Sequence, residues 1–589
     1  MKLQGKTGVK GFAQGPAMIW RRPEIEVSSF AQKAQNIDRE MEQLDHSLAQ
    51  AGEELEKIIY DLEKEGRTEE SRIIRFQQML LIDVEIIGAL KNLIKNEGVT
   101  AQTAFVRVME KEISNLLLDE SDSKREGEDY FAGRILDYKD LMSRVLRILQ
   151  EQKTIYPFLH KECVMIADDL NPSEIVQLEK GKVLALALGK GTPTSHSMII
   201  ASERGIPTVI GLGKKIELIQ EGNLLWVDGD QGVVIVNPDS DELKAFKRRL
   251  QQATEEHRIF EESQNLPAVT LDGFLVRLEI NIGRPEEIEK SILDHIDGIG
   301  LWRTEFLFLD RDREPDEEEQ LSIYKGVSEK LSGKPINIRT LDGGGDKNLP
   351  YLCLTHEPNP SLGMRGIRLS LKHVDLFKRQ LRAIMRANVN NNLRVMLPLV
   401  SLVEEIEMVR GIVDQCQKEL SNEGTEVKGS LPIGIMVEVP STAMALDIFM
   451  PLVDFVSVGT NDLAQYMLAS DRQNEALLSS NSPFYLPIIR LLKQIAQIGL
   501  KEDKPLSICG EVASNPLAIP LLIGLGFRRL SISPRSFLRV KYLIQHLRLS
   551  ECRRVAEQVL HMSRRVEIEQ TLATFLEKSQ SLITIHQRS

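Results

Sequence analysis

Apolar residues recur at helical spacing in the first part of the chain, between about Glu24 and Gln150. In IDREMEQLDHSLAQAGEELEKIIYDLEKE and DYKDLMSRVLRILQEQ, Leu and Ile return every three or four residues among charged side chains, which is typical of amphipathic helices. This stretch contains no proline. The pattern predicts a helical bundle whose charged face is either solvated or used as a docking surface.

From Glu162 onward, short apolar runs alternate with Gly and Pro turns. These runs are CVMIADDL, GKVLALALG, PTVIG, NLLWVDGD and GVVIVNP. Runs of this length between turn residues predict strands of a compact β-rich or mixed domain. Residues 239–265 then form a charged stretch without Gly or Pro, which predicts a connecting helix.

After Leu266 the chain alternates strand-like and helical segments. The strand-like runs are VRLEINIG, DGIGLWRTEFLF, INIRTLDGGG, LRVMLPLV, IGIMVEVP, DFVSVGTND, LSICGEVA and RRLSISP. Helical patterns such as DLFKRQLRAIMRAN and SLVEEIEMVRGIVDQCQKEL lie between most of them. Eight buried strands that alternate with helices predict a (β/α)8 barrel.

The predicted fold class is therefore multidomain α/β, with a C-terminal (β/α)8 TIM barrel, a mixed α/β domain and an inserted α-helical bundle. We expect the mixed domain at 1–23 plus 145–238, the bundle at 24–144, the linker helix at 239–265 and the barrel at 266–589.

The composition of the chain argues against some classes of function but does not identify the function. The 589 residues carry a net charge of −12, which argues against general nucleic-acid binding because such binding needs a basic surface. No apolar run approaches the length of a membrane span, and the first residues lack the apolar core of a signal peptide. Five cysteines occur without a CxxC pattern. We expect a cytoplasmic protein with reduced thiols and no membrane insertion.

Charged residues collect at the ends of the predicted barrel strands, where such barrels carry their reactive groups. Alone, each Arg is more often a surface cation and each Asp more often a helix cap. Together, several guanidinium groups predict a site for a phosphate-bearing acid, and Glu438 with Asp462 offers oxygen ligands suited to Mg2+. Cys509 is either a small core residue or a proton donor at a strand end. The arginines are Arg303, Arg339, Arg365 and Arg472.

The segment GKGTPTSHSMIIASERGIPTVIG places His196 between a Gly-rich turn and an apolar helical stretch. A helix N-terminus offers free backbone N–H groups to a phosphate, and imidazole is a competent nucleophile. The alternative is a capping Thr-Ser pair with an incidental histidine.

This segment resembles the phosphohistidine signature of the phosphoenolpyruvate-utilising enzymes. GLWRTEFLFLDRD, RTLDGGGDK, NPSLGMRGIR, IMVEVPSTA, VGTNDLAQYMLASDRQN and CGEVAS resemble their barrel motifs. The order of these motifs across the chain resembles bacterial Enzyme I, the phosphoenolpyruvate–protein phosphotransferase family of the sugar phosphotransferase system.

The resemblance implies a role for each candidate residue. His196 would carry the phosphoryl group, in the mixed domain that acts as a phosphohistidine swivelling domain. Cys509 would protonate the enolate to give pyruvate, and Glu438 with Asp462 would bind Mg2+. The helical bundle would dock the carrier protein HPr, and the barrel would form a homodimer. The substrate phosphate would be held by Arg303, Arg339, Asn461, Asp462 and Arg472, with Arg365 nearby.

Two departures from the family pattern stand out. Arg75 and Gln77 lie in IIRFQQMLLID, where the family has an acidic stretch with Phe and His, so the carrier contact could differ. A glycine run, 343–345, replaces a bulky residue after the third barrel strand.

Three rival interpretations remain. The first is an ATP-dependent relative, but we find no nucleotide-binding loop, and the second is a nitrogen-branch paralogue, but we find no additional sensory domain. The third is a catalytically inactive scaffold.

Overall fold

The structure is a computed structural model with two compact units, Met1–Thr254 and Glu255–Ser589. It describes residues 1–20, 33–64, 68–122, 128–150, 162–171, 174–175, 178, 181–191, 196–288, 290–309, 311, 313–331, 333–344, 349–352, 357, 359–425, 427, 429–471 and 482–586.

The first unit contains a helical bundle. Its apolar positions at three- and four-residue spacing meet in one core, with Leu44, Leu90, Phe105 and Val145 fully or nearly fully buried. Asp83 caps the third helix, because its carboxylate accepts hydrogen bonds from two backbone N–H groups of the first turn. The helices are α1 Ile37–Lys64, α2 Thr68–Leu81, α3 Val84–Asn92, α4 Ala101–Asp122 and α5 Glu128–Leu149.

The first unit also contains an eight-stranded mixed sheet in the order β1-β8-β7-β3-β4-β5-β6-β2. Its first three strands come from the start of the chain and pair with strands that follow the bundle, so the bundle is an insertion between strands of one sheet. Two helices follow, α6 His196–Glu203 and α7 Ser240–Ser263. The strands are β1 Lys2–Gln4, β2 Lys6–Val9, β3 Phe12–Ile19, β4 Cys163–Ala167, β5 Val183–Leu188, β6 Thr208–Ile210, β7 Leu224–Asp228 and β8 Val233–Val236.

The second unit is a closed barrel of eight parallel strands. Every one of the eight predicted strand segments forms a barrel strand, and each strand is largely buried, which explains the continuous apolar runs. The strands are β9 Arg277–Ile282, β10 Gly298–Arg303, β11 Ile336–Arg339, β12 Leu393–Leu397, β13 Ile433–Val437, β14 Phe455–Val458, β15 Leu506–Ile508 and β16 Arg529–Ile532.

Helices surround the barrel and bury their apolar faces against the strands in one large core. These helices are α8 Lys290–Leu293, α9 Glu317–Lys330, α10 Ile367–Lys372, α11 Val374–Ala387, α12 Val403–Asn422, α13 Pro440–Met444, α14 Leu446–Phe449, α15 Thr460–Leu468, α16 Leu486–Glu502, α17 Ala518–Leu525, α18 Phe537–Gln545, α19 Leu549–Val559 and α20 Arg565–His586.

The predicted fold class is confirmed: barrel, helical bundle and mixed sheet are all present. The proposed domain boundaries remain a prediction, although α5 continues to Leu149, past the predicted bundle end at 144. Among the described residues, no helix has both the length and the apolar character needed to cross a membrane.

Candidate active site

A cavity of about 380 Å3 lies at the carboxyl ends of the barrel strands. The chain reaches it with residues in or just after six of the eight strands, as expected for a barrel whose strands all point the same way. Its lining residues are Gly283, Arg284, Glu287, Leu301, Arg303, Glu305, Phe306, Arg339, Asp342, Met436, Glu438, Gly459, Asn461, Asp462, Cys509, Gly510 and Glu511.

The cavity unites most of the residues predicted for the barrel site. Arg365 is not among the lining residues. Arg472 lies outside the described residues, and His196 belongs to the other unit. The predicted residues that line the cavity are Arg303, Arg339, Glu438, Asn461, Asp462 and Cys509.

Two arginines stand side by side at the strand ends. Arg303 and Arg339 are the last residues of β10 and β11 and are direct partners in the register of these strands. Arg339 is buried and forms ion pairs with Glu305 and, at 3.3 Å, with Asp342. Burial opposes its charge, but the neighbouring carboxylates outweigh burial and raise the pKa of Arg339 further. Arg303 is exposed and forms no ion pair within the described part of the chain, so its charge is available to an anion.

Glu438 and Asp462 form a buried acidic pair. Glu438 follows β13, and its Oε1 accepts a hydrogen bond of 2.7 Å from the backbone N–H of Leu399. Its Oε2 is buried and has no partner among the described residues. Burial, then the charges of Asp462 and Asp342, raise the pKa of Glu438 to about 8. An unpaired carboxylate oxygen in such a place favours a cation.

The charges of the lining residues also favour a bound cation. Three arginines and six acidic side chains line the cavity. The acidic side chains outnumber the arginines even when Glu438 is protonated, so a polyanionic substrate would meet net repulsion without an added cation. Among the described residues, no group of three or more His, Cys, Asp or Glu side chains is arranged to hold a metal ion. Two carboxylates suit Mg2+, which commonly takes one or two from the protein and its other ligands from substrate and water. The donor set therefore fits a divalent metal.

Arg365 contacts two acidic residues of the cavity wall, and its role in substrate binding stays a prediction. Its side chain is almost fully buried and forms two hydrogen bonds, of 3.0 and 3.1 Å, with the carboxylate of Asp342. The same guanidinium group contacts Asp462 at 3.3 Å. Burial opposes this charge, but the two carboxylates raise the pKa of Arg365. Arg365 is thus committed to orienting two acidic residues of the cavity wall.

Cys509 follows β15 and faces the cavity with its sulfur almost fully buried. The thiol donates a hydrogen bond of 3.4 Å to the backbone carbonyl of Val458. Burial raises the pKa of Cys509 to about 11, against smaller opposing effects from Ser457, Arg339 and Arg303. The sulfur therefore carries its proton at neutral pH and can act as an acid.

The cavity residues that the sequence analysis did not name include Arg284, Glu287 and Phe306. The Arg284 guanidinium lies 5.5 Å from the centre of the Phe306 ring, a cation–π contact. Arg284 follows β9 by two residues. The rule that strand ends carry the reactive groups would have identified it, had the end of the first barrel strand been read as the others were.

In the first unit, α6 begins at His196, which agrees with its expected place at the start of a helix. Thr194 and Ser195 lie outside the described residues. The next residue, Ser197, is buried, and its hydroxyl donates a hydrogen bond of 2.7 Å to the carbonyl of Leu170.

The two residues of α2 that depart from the family pattern lie in different environments. Arg75 is exposed, but Gln77 is fully buried and donates a hydrogen bond of 2.9 Å to Asp140. The second oxygen of Asp140 accepts from Asn171, also at 2.9 Å. Gln77 therefore belongs to an internal polar network, and its departure from the family pattern does not alter an exposed surface.

Within the glycine run, Gly344 has a positive φ of 85°, and a Cβ atom there would lie 2.1 Å from the carbonyl oxygen of Met364. Only glycine fits this position. Gly345 and Lys347 lie outside the described residues.

Comparison with known proteins places these features in one family. Three family models of phosphoenolpyruvate-utilising enzymes match the chain: the N-terminal domain at residues 4–119, the mobile domain at 159–232 and the phosphoenolpyruvate-binding domain at 257–549.

Relatives match along nearly the whole chain. A phosphoenolpyruvate-protein phosphotransferase of Priestia megaterium is 37% identical over 568 residues, which are 96% of this chain and 98% of the relative. One from Enterococcus faecalis is 34% identical and covers 95% and 96%. A solution NMR structure of an Enzyme I protein is 32% identical, covers 43% of this chain and 99% of its own, and has a TM-score of 0.38. Because the two phosphotransferases are more than 30% identical along nearly the whole chain, the chain belongs to the phosphoenolpyruvate-protein phosphotransferase family.

Proposed function

We propose that this chain transfers the phosphoryl group of phosphoenolpyruvate to His196, releases pyruvate and passes the group to a histidine of HPr, which starts the sugar phosphotransferase cascade. The observation that supports this most is the barrel cavity, where arginines, a buried acidic pair and a protonated thiol meet. The lining residues suit phosphoenolpyruvate, because the arginines can bind its phosphate and the thiol can protonate its methylene carbon.

The arginines at the strand ends bind the substrate. Arg303 offers a free guanidinium group to phosphate oxygens, and Arg339 adds a second, held in place by Glu305. Asn461 and, by family resemblance, Arg472 complete the phosphate contacts. Arg365 pairs with Asp342 and Asp462, which line the cavity, and stays near the substrate anion, as the family resemblance implies.

Enzymes of this family need a divalent metal ion, and we propose Mg2+ held by Glu438 and Asp462. When bound, the ion neutralises charge on the phosphoryl oxygens. The unpaired Oε2 of Glu438 supports this assignment.

The reaction on this chain has two parts. The Nε2 of His196 attacks phosphorus, and the bond between phosphorus and the enol oxygen breaks, leaving the enolate of pyruvate. The Cys509 thiol then gives its proton to the methylene carbon, which traps the product as the ketone. Since one imidazole both receives and donates the group, His196 must meet the cavity and the carrier in turn.

The carrier docks on the helical bundle, in the predicted domain 24–144. Three apolar side chains are exposed around the end of α2 and the start of α3, namely Met79, Ile82 and Val84. Isolated exposed apolar residues are common, but a cluster supports a protein contact. Ile82→Asp should weaken transfer to HPr at least tenfold, while Leu218→Asp, at an exposed apolar residue of the sheet domain, should not. Equal effects of the two changes would contradict this docking surface.

The barrel carries a homodimer surface. Met408 on α12, Met444 on α13 and Ile448 on α14 are exposed, and these helices follow the neighbouring strands β12 and β13. Ile448→Glu should shift the protein to a monomer in sedimentation velocity runs, whereas Val566→Glu on α20 should leave the dimer intact. A dimer unchanged by Ile448→Glu would contradict the assignment.

We place the enzyme in the cytoplasm. Its domain boundaries are those predicted from the sequence, with the mixed domain at 1–23 plus 145–238, the helical bundle at 24–144, the linker helix at 239–265 and the barrel at 266–589.

Pyruvate release tests the reaction. With Mg2+, phosphoenolpyruvate and an excess of purified HPr, the chain should form pyruvate, detected with lactate dehydrogenase, until each HPr carries one phosphoryl group. Cys509→Ala should slow this about a hundredfold or more, the usual contribution of a general acid. Cys416→Ala, which removes a buried thiol of α12 that does not line the cavity, should not. Absence of pyruvate with the wild-type chain would refute the proposed function and favour an inactive scaffold.

A further inference from the structure

Arg284 is the third arginine of the cavity wall, beside Arg303 and Arg339. It lies two residues after the end of β9, and its side chain is half-buried. The substrate contacts described above give it no role. An arginine in the wall of a cavity that receives a polyanion is a candidate binding residue, because a guanidinium group forms paired hydrogen bonds with phosphate oxygens.

The backbone of Arg284 is held in place by its neighbours. The Glu287 carboxylate accepts hydrogen bonds from the backbone N–H group of Gly283, at 3.2 Å, and from that of Arg284, at 3.0 Å. Pro285 follows, and a residue before proline is restricted to extended conformations, as the φ of −132° and ψ of 151° at Arg284 show. The direction in which the Arg284 side chain leaves the backbone is therefore set before any substrate binds.

The guanidinium group of Arg284 is held as well. Its central carbon lies 5.5 Å from the centre of the Phe306 ring, and both side chains line the cavity. The attraction between a cation and a ring face uses none of the five N–H donors of the guanidinium group. Partial burial lowers the pKa of Arg284, against the charges of Glu286 and Glu287. Because an arginine stays charged even so, an anionic group beside it would offset the cost of burial.

Arg284 extends a row of arginines at the strand ends. The strands β9, β10 and β11 are neighbours in the barrel, and Arg303 and Arg339 are the last residues of β10 and β11. Ile282 is the register partner of Trp302, so Arg284 lies one residue nearer the opening of the cavity than Arg303. Three neighbouring strands thus carry one arginine each, and the outermost is Arg284.

The acidic pair lies across the barrel from this row. In the closed ring of eight strands, β13 is opposite β9 and β14 is opposite β10, and Glu438 and Asp462 follow β13 and β14. A phosphoryl group held by a metal ion on that side would turn its other oxygens towards the arginines. During transfer the group spreads its charge over three oxygens, so a guanidinium group at the opening would stabilise it where the acceptor histidine enters.

We propose that Arg284 is a further phosphoryl-binding residue: its guanidinium group, held against Phe306, binds the phosphoryl oxygens beside Arg303 while the group passes to His196. The inference rests on the proposed function. In this step the bond between phosphorus and the enol oxygen breaks, and its electron pair stays on that oxygen. The lone pair of Nε2 forms the new bond to phosphorus, while Arg284 keeps its protons and forms only hydrogen bonds.

Two competitive inhibitors, inorganic phosphate and pyruvate, separate the phosphate from the rest of the substrate. The initial rate at which phosphoenolpyruvate with labelled phosphate labels the full chain is measured with Mg2+ at increasing inhibitor. Arg284→Gln should lower the rate at subsaturating substrate about tenfold, the effect of a lost hydrogen bond to a charged group. It should raise the inhibition constant of inorganic phosphate about tenfold and that of pyruvate less than about twofold.

Three further variants complete the test. Arg284→Lys keeps the charge but loses the planar fork, so its inhibition constant for inorganic phosphate should lie between those of wild type and Arg284→Gln. Phe306→Leu removes the ring that holds the guanidinium group and should weaken phosphate binding about threefold. Arg528→Gln is the matched control, because Arg528 also lies 5.5 Å from a ring centre, that of Phe274, but does not line the cavity; it should change neither constant.

An unchanged inhibition constant of inorganic phosphate in Arg284→Gln overturns the inference, as does an equal rise in Arg528→Gln. A rise for pyruvate alone would assign Arg284 to the carboxylate of the substrate, and an equal rise for both inhibitors would indicate a change of the whole cavity; either result also overturns it. Absence of label on the wild-type chain would instead refute the proposed function. Titration calorimetry of inorganic phosphate with wild type and Arg284→Gln would then still report on Arg284.

Discussion

Changing Glu438 to glutamine removes a buried negative charge and keeps the shape of the side chain. In the wild-type protein, burial and the nearby charge of Asp462 raise the pKa of Glu438 to about 8. The folded protein therefore binds this proton more tightly than the unfolded chain does. The stability that comes from the proton is present at low pH and is lost as the pH rises from about 4.5 to about 8.

The size of the loss follows from the pKa. One pKa unit corresponds to about 1.4 kcal/mol, so ionisation of Glu438 costs the metal-free protein up to about 5 kcal/mol at pH 8.5. Glutamine cannot ionise and escapes this cost. The free energy of unfolding of Glu438→Gln, relative to wild type, should therefore increase by several kcal/mol between pH 5 and pH 8.5.

Urea unfolding of both proteins in EDTA at the two pH values measures this difference, and comparison at each pH removes the contributions of other groups. Addition of Mg2+ at pH 8.5 should stabilise wild type and leave Glu438→Gln unchanged, because the ion pairs with the carboxylate. A stability difference that is the same at pH 5 and pH 8.5 would refute the reasoning.

Three further results are expected. The Mg2+ affinity of wild type, measured by titration calorimetry, should increase about tenfold from pH 7 to pH 9, since the ionised fraction of Glu438 rises from about a tenth to about nine tenths; an affinity independent of pH would contradict this. Gly459→Ala would place a Cβ atom 2.9 Å from Oε2 of Glu438 and should weaken Mg2+ binding at least tenfold, whereas Gly326→Ala, in open space on α9, should have no effect. Asp140→Ala leaves two buried amide groups, one of them Gln77, without their acceptor and should lower the free energy of unfolding by about 2–4 kcal/mol in urea titrations; a loss below about 0.5 kcal/mol would show that the network is dispensable.

The barrel could be predicted strand by strand because each strand is buried on both faces and its apolar run is bounded by turn residues. The strand ends then indicated the site, since parallel strands bring their carboxyl ends together. Arg303, Arg339 and Cys509 were found in this way, each within one residue of the end of a strand.

The sequence could not show which arginines face the cavity. Arg365 was expected near the substrate because it lies in a loop after the third barrel strand, and the structure adds that its guanidinium group pairs with Asp342 and Asp462. A long loop does not fix the direction of a side chain, so only the folded structure distinguishes a substrate contact from an internal ion pair. The same holds for Gln77. The helical spacing did not show whether its side chain lies on the exposed surface or is buried against Asp140, as the structure finds.

The central claim is that His196 accepts the phosphoryl group. The most direct test incubates the wild-type chain and His196→Ala with Mg2+ and phosphoenolpyruvate labelled in its phosphate, and then maps the label by peptide analysis. We expect acid-labile, base-stable label on the wild-type peptide that contains His196 and none on the variant. Absence of label on folded wild-type protein, or equal label on both proteins, would contradict the account.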